Sequence, residues 1–315
     1  MAKSIVLRPR TRNDIDAQVE RLLLGIGSPD PPLDLRVVRD HLELSRGYYS
    51  SEDPSLIQGA LQKLTVGAKQ VFKRPELIRD AIMKFDLRAL YLPDQKRILI
   101  DKEVPKLKHR WNEAHEVLHH LIPWHEGTTF GDSLLTLVPS CHEQIEAEAN
   151  YGAGRLLFLQ DRFTEEARFA DASLDSVQAF KSSYENTLSS TLWRCVEVWG
   201  QDRPVLGMIT GHPHPSKRKP DFDPLDPCKH IIQSEVFAEQ FSQVSEIELF
   251  AAIEEYCGAQ RAGPLGRDEI RLRDDNGEAW DFVFETFFNS YEALTLGVCV
   301  RQASKSNILG ASSSI

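Results

Sequence analysis

The feature that most constrains this chain is the pentapeptide His115-Glu116-Val117-Leu118-His119. On a helix, residues four apart lie on one face, so both imidazoles can be presented to a single metal ion. Glu116 is then placed to hold and deprotonate a metal-bound water, and zinc is the ion this spacing suits. The motif therefore requires a helix, expected over 107–121, with Ala114, Leu118, Leu121 and Ile122 as its buried face. It also requires a second element that delivers a third ligand and leaves a fourth position open. The competing reading is a structural histidine pair on a helix.

A helix is expected to open downstream at Ser140, where Glu143 completes a capping box after Pro139, and to run to about Leu159. It carries two candidates for the third ligand, Glu146 and Glu148. Glu146 shares a face with Ala149, Asn150, Ala153 and Leu157 and is expected to point inward. Glu148 sits about 200° further round the helix and is expected to face solvent. Asn150, one turn beyond Glu146, can orient a ligand from behind. Gly152 and Gly154 suit a close helix contact. Other donors lie nearby: His120, His125, Cys141 and His142. A thiolate binds zinc well, which makes Cys141 a candidate inhibitory ligand at the fourth position.

Around this pair the pattern is mixed. Short helices are expected on either side of Ser28-Pro29-Asp30-Pro31-Pro32 within 13–45, and helix again over 54–84. Segments 87–92 and 97–101 read as a hairpin about Pro93-Asp94-Gln95. The strand at 97–101 or its neighbour is expected to accept an extended peptide by strand addition. One helical stretch is expected over 173–199. Then come a strand at 203–210, a Pro- and Lys-rich loop over 211–228, and a helix from a Ser245/Glu248 capping box to about Ala259. Strands follow near 268–273, 279–288 and 293–301, the first two joined by the turn Asp275-Asn276-Gly277.

The net charge of −10 argues against a protein that binds nucleic acid over its whole surface. It leaves two local basic runs, Arg8/Arg10/Arg12 and Lys217/Arg218/Lys219, best read as solvated segments. No apolar run reaches a membrane-spanning length, and MAKSIVLRPRTRND does not read as a secretory signal. The five cysteines form no CxxC pair, so free thiols in a cytoplasmic setting are expected.

Residues 108–119, Lys-His-Arg-Trp-Asn-Glu-Ala-His-Glu-Val-Leu-His, resemble the first motif of ImmA/IrrE-type metallopeptidases. Residues 146–157, Glu-Ala-Glu-Ala-Asn-Tyr-Gly-Ala-Gly-Arg-Leu-Leu, resemble their second, E-x-E-A-N-x-F-A-x-x-L-L. The resemblance covers about residues 30–165. It implies zinc held by His115, His119 and Glu146, with Glu116 as catalytic base, and a helix-turn-helix repressor as the protein substrate. This chain departs from the pattern in having Leu118 where the family often has Gly, Gly152 where it has Phe, and Phe158-Leu159 where it has Met-Pro.

The expected fold is α+β: a mainly helical zincin-like metallopeptidase domain with a small sheet, then a smaller α+β domain of GAF- or PAS-like type. The expected divisions are an N-terminal helical segment (1–55), the peptidase core (56–165), a helical connector (166–202), a sensor domain (203–301) and a disordered tail (302–315). The expected activity is zinc endopeptidase cleavage of a repressor in a stress, DNA-damage or phage-defence response, with a nucleic acid or small molecule as candidate activator. The alternative is a zinc-containing regulator without proteolysis. Oxyanion-stabilising candidates are His109, Arg110, Tyr151, His212 and His214.

Overall fold

A computed structural model of the chain describes residues 7–49, 89–92, 96–125 and 139–303. The helix expected over 54–84, the loop containing Gly127 and Gly131, and the tail from 304 onward lie outside the described residues. The protein is α+β, and the chain divides into two compact units. Unit 1 is 1–165 with 181–187, and unit 2 is 166–180 with 188–315. The expected connector, 166–202, is thus shared between them.

Unit 1 begins with α1 (Pro9–Gly25), which starts earlier than expected because Pro9, lacking an N–H to satisfy, suits the first helical turn. Helix α2 (Leu35–His41) follows, capped by Asp34, whose side chain accepts from the Arg36 N–H. A strand not read from the sequence comes next, β1 (Ser45–Tyr49). The expected hairpin is present as β2 (Ala89–Leu92) and β3 (Arg97–Asp101), with Lys96 in the left-handed region before β3. The sheet order is β1-β3-β2, with β1 parallel and β2 antiparallel to β3. Strand β3 is therefore central and has no open edge, which corrects the expectation that 97–101 could add a peptide strand. Of the pair considered, the neighbour β2 lies at the edge among the described residues.

Helix α3 (Lys106–Leu121) carries the HEVLH motif, and a 3-10 turn at Pro123–His125 follows it. Its buried face is Glu113, Ala114, Glu116, Val117, Leu118 and His119. Helix α4 (Pro139–Leu157) holds Glu146. Ser140 lies inside this helix and is not its N-cap. The helix stops at Leu157, and Leu159 and Gln160 just beyond it both take left-handed backbone angles. Buried and half-buried ion pairs tie these helices down. Glu113 of α3 accepts from Arg39 of α2 at 2.6 Å and from Arg46 of β1 at 2.7 Å. Asp16 of α1 accepts from Arg155 of α4 at 2.6 Å and from the Tyr151 hydroxyl at 3.0 Å.

The helix expected over 173–199 is two helices, α6 (Leu174–Tyr184) and α7 (Leu188–Trp199), preceded by the unforeseen α5 (Asp161–Phe169). The break falls at Glu185, with φ at 50°. A non-glycine residue held left-handed cannot continue a helix.

Unit 2 is built on a five-stranded antiparallel sheet, ordered β5-β4-β8-β7-β6. Its strands are β4 (Val205–Thr210), β5 (Cys228–Gln233), β6 (Gly263–Arg273), β7 (Ala279–Phe288) and β8 (Ala293–Gln302). Strand β5 and the short helix α8 (Glu235–Gln240) occupy sequence that carries no alternating pattern and were not expected. Helix α9 (Glu246–Tyr256) opens on the expected capping box. All six residues of β4 are buried, which requires cover on both faces. Leu206 and Met208 enter a core with Phe237, Phe241, Leu249, Phe250 and Ile253 from α8 and α9. On the opposite face, a Cβ at Gly207 would meet Val196 and Leu192 of α7 at 3.2 and 3.4 Å. The Asp275-Asn276-Gly277 turn forms as expected, closed by the Asp274 N–H to the Glu278 carbonyl at 2.9 Å.

Among the described residues no helix is long and apolar enough to cross a membrane. Cys195, Cys228, Cys257 and Cys299 are free thiols. Phe282 packs against Phe237, Phe241 and Phe284 at the centre of unit 2. Phe282→Ala is expected to destabilise that unit by about 3–5 kcal/mol, read as an earlier urea transition followed by Trp fluorescence.

Candidate metal centre

The site depends on how closely α3 and α4 approach. A Cβ at Gly152 would fall 2.4 Å from Cδ1 and 2.7 Å from Cγ of Leu118, and 3.1 Å from Ile15. Leu118 therefore fills the space that glycine leaves open. Gly154 does not share this role, because its nearest neighbour would be Trp111 at 3.8 Å. Positions 118 and 152 thus meet in space, a large residue on α3 against a glycine on α4.

That contact sets the donors of the two helices opposite one another. Nε2 of His115 and Nε2 of His119 are 3.0 Å apart. Glu146 places Oε2 3.2 Å from the first and Oε1 3.5 Å from the second. The group can hold a metal ion. A tetrahedral zinc with bonds of 2.0–2.1 Å separates its ligand atoms by about 3.3 Å, so these spacings match that geometry. The back of each ring is also engaged. His115 Nδ1 lies 3.1 Å from Oδ1 of Asn150, the orienting residue expected from the sequence. His119 Nδ1 lies 3.1 Å from Nδ1 of His125. With the Nδ1 protons directed outward, both Nε2 lone pairs and a carboxylate face one point, which calls for a cation there. The Asn150 oxygen, facing the ring, accepts that outward proton of His115.

Glu146 is also the most accessible of the three metal-facing residues, its side chain 36% exposed against 13% for His115 and 8% for His119. The centre is thus open to water on the Glu146 side. Hydrogen bonds to His115 and His119 hold the Glu146 carboxyl well below the usual range despite the burial that opposes them. His115 is raised by Glu146 and Glu116, against burial.

Of the two α4 carboxylates, Glu146 faces the imidazoles as expected, whereas Glu148 departs from the solvent exposure expected for it. Glu148 is buried, at 5%, and not on a solvated face. Helix α4 is flanked by α1 and α3, and the turn after α3 covers the side carrying Glu148. An isolated helical wheel cannot register that cover. Glu148 is nonetheless not part of the metal-facing group. Glu116 is buried beside His115 and accepts from the Tyr91 backbone N–H of β2. Burial pushes its carboxyl up to about 7, with His115 opposing and Glu146 adding to the rise.

Of the other donors, His120 pairs with the Tyr91 hydroxyl at 2.5 Å and His125 lies behind His119. Cys141 and His142 fall in the first turn of α4, and their side chains lie outside the description. The oxyanion candidates have partners elsewhere. His109 bonds the Val104 carbonyl, Arg110 the Leu33 carbonyl and Tyr151 Asp16. In unit 2, His212 bonds the Gln260 carbonyl and His214 caps the 3-10 turn at Pro215–Lys217. The role of His125 was missed, because a histidine six residues past the motif carries no helical-spacing signal.

No protein-family profile matches the chain, and no curated protein matches it. Among solved structures, a Mycobacterium tuberculosis transcriptional regulator is similar over 92% of this chain and 90% of its own, with a TM-score of 0.52 at 12% identity. A likeness at that identity shows a shared fold.

Two outcomes test the site. Gly152→Ala is expected to cost about 1–3 kcal/mol of stability and to weaken metal uptake. In a Leu118→Ala background that penalty is expected to vanish, a coupling that a double-mutant cycle measures by denaturation. The second concerns Glu116, whose folded pKa lies above its unfolded value. Its protonated form is favoured by folding, so stability is retained below about pH 4.5 and lost as pH rises toward 7. In metal-free protein at pH 8, Glu116→Gln is expected to be more stable than wild type by about 2–3 kcal/mol, with no difference at pH 4, measured by urea unfolding.

Proposed function

We propose that this chain is a zinc-dependent endopeptidase whose ligands are His115, His119 and Glu146 and whose general base is Glu116. The observation that carries the reading is the convergence of two imidazole nitrogens and a carboxylate, at zinc-like spacing, beside a buried carboxyl with a raised pKa. Zinc bound there would polarise a scissile carbonyl and supply hydroxide near neutral pH. Glu116 would take the proton of the attacking water and return it to the leaving amine. The Tyr91 N–H holds Glu116 in position. Strand β2, an edge strand beside the base among the described residues, is suited to hold an extended peptide by strand addition.

The substrate in this reading is a protein, a helix-turn-helix transcriptional repressor, in keeping with the resemblance of both motifs to ImmA/IrrE-type peptidases. The fold shared with a transcriptional regulator is compatible with that role. Unit 2, an antiparallel sheet with helices on both faces, would be the GAF- or PAS-like sensor. Arg218 is a poor nucleic-acid contact. It pairs with Glu254 at 2.6 Å, donates to the Pro213 carbonyl and lies over the Phe222 ring. A small-molecule activator therefore suits unit 2 better than a nucleic acid bound through that segment.

A second reading, a metal-containing regulator that does not hydrolyse peptides, is favoured by the same structural neighbour. Glu116 separates the two, since a binding role does not need it. In assays against a panel of helix-turn-helix repressors, wild type is expected to cleave one of them. Glu116→Gln is expected to keep its zinc and lose about 100-fold or more in rate. His115→Ala and Glu146→Ala are expected to lose the zinc, measured as metal content. Equal regulation by wild type and Glu116→Gln would refute the peptidase reading.

A further inference from the structure

His119 is supported from behind by a group of side chains that do not face the metal. Its Nδ1 lies 3.1 Å from Nδ1 of His125, whose Nε2 lies 3.0 Å from Oε2 of Glu148. Trp124 Nε1 donates to the same oxygen at 2.6 Å, and Gln144 Nε2 donates to Oε1 at 2.8 Å. His125 is fully buried and Glu148 nearly so. The 3-10 turn at Pro123–His125 brings His125 back over the last turn of α3.

The proton positions follow in order. An ionised carboxylate only accepts, so His125 Nε2 carries the proton it shares with Glu148. With its single proton there, the neutral His125 ring leaves Nδ1 as the acceptor facing His119. The hydrogen between the two histidines therefore belongs to His119 Nδ1. That leaves the lone pair of His119 on Nε2, the atom that faces His115 and Glu146. Metal-ligating histidines are commonly oriented by a carboxylate directly, and here a second imidazole lies between. His115 is different, because its orienting partner is the neutral Asn150.

We propose that Glu148 and His125 form a two-step hydrogen-bond relay that fixes the tautomer and orientation of His119 and so sets the metal affinity of the centre. This rests on the reading of His115, His119 and Glu146 as metal ligands. Glu148 is then a positioning residue, acting through His125, and the negative end of the relay makes His119 a stronger donor than His115.

The test uses full-length protein stripped of metal, with zinc and cobalt affinities measured by chelator competition. His115→Ala serves as the control for the centre itself, and wild-type affinity in that variant would refute the metal reading. With that control passed, the relay is judged separately. Glu148→Gln can keep all three hydrogen bonds, with its oxygen at the Oε2 position and the Gln144 amide turned to accept, so it removes only the charge. It is expected to lose about threefold to tenfold in affinity, and His125→Ala about 10- to 100-fold. His125→Gln, which can accept from His119 and donate to Glu148, is expected to recover most of that loss. The visible absorption of bound cobalt is expected to shift in His125→Ala, a change that weakened packing alone would not produce. If His125→Ala does not fold, Glu148→Gln and His125→Gln decide the matter. Wild-type affinity and an unchanged cobalt spectrum in Glu148→Gln and in whichever His125 variants fold would overturn the relay.

Discussion

The close approach of α3 and α4 at Leu118 and Gly152 is the contact on which the centre depends. Helix axes at an ordinary contact lie 8–10 Å apart, set by the side chains between them. Removing the side chain at 152 and seating Leu118 in its place lets the helices settle at the separation that brings Glu146 within 3.2 and 3.5 Å of the two imidazole nitrogens. Three residues of one helix then act on the centre at different depths. Glu146 reaches the metal-facing side, Asn150 holds His115 from behind one turn later, and Glu148 reaches His125 around the helix.

A buried carboxylate, Glu113, and a half-buried one, Asp16, hold this arrangement against the rest of unit 1. Glu113, on the same helix as the motif, is clasped by Arg39 and Arg46, which ties α3 to α2 and to β1. Asp16 does the same for α4 through Arg155 and Tyr151. Removing one partner of such a pair is strongly destabilising, because it leaves an uncompensated buried charge. Both helices that carry the candidate metal centre are thus anchored by charge as well as by apolar packing. Glu116 is the opposite case. Its burial is only partly compensated, by the Tyr91 N–H and by His115, and the resulting high pKa suits a group that exchanges protons.

The legible parts of the sequence were those where chemistry and local spacing coincide. His115 and His119 are neighbours on any helix, and Asn150 lies one turn from Glu146 on any helix. The Ser245/Glu248 capping box and the Asp275-Asn276-Gly277 turn are equally local, and both form as read. Strands β7 and β8 were legible from their apolar and aromatic content. Strand β1 was not, since Ser-Arg-Gly-Tyr-Tyr becomes a strand only by pairing with β3 more than fifty residues later. The helix break at Glu185 left no mark because neither glycine nor proline occurs there.

The residues by themselves determined which side chains could bind a metal and which helices would carry them, because helical periodicity is a property of the backbone alone. Tertiary structure decided how those helices meet. Only in three dimensions did positions 118 and 152 become one contact, with Leu118 occupying the space above Gly152. The same holds for Glu148, which a lone helix would expose and the packed protein buries behind His125. Burial depends on what covers a surface, and the covering elements, α1, α3 and the turn at Pro123–His125, lie far from Glu148 along the chain or around its helix.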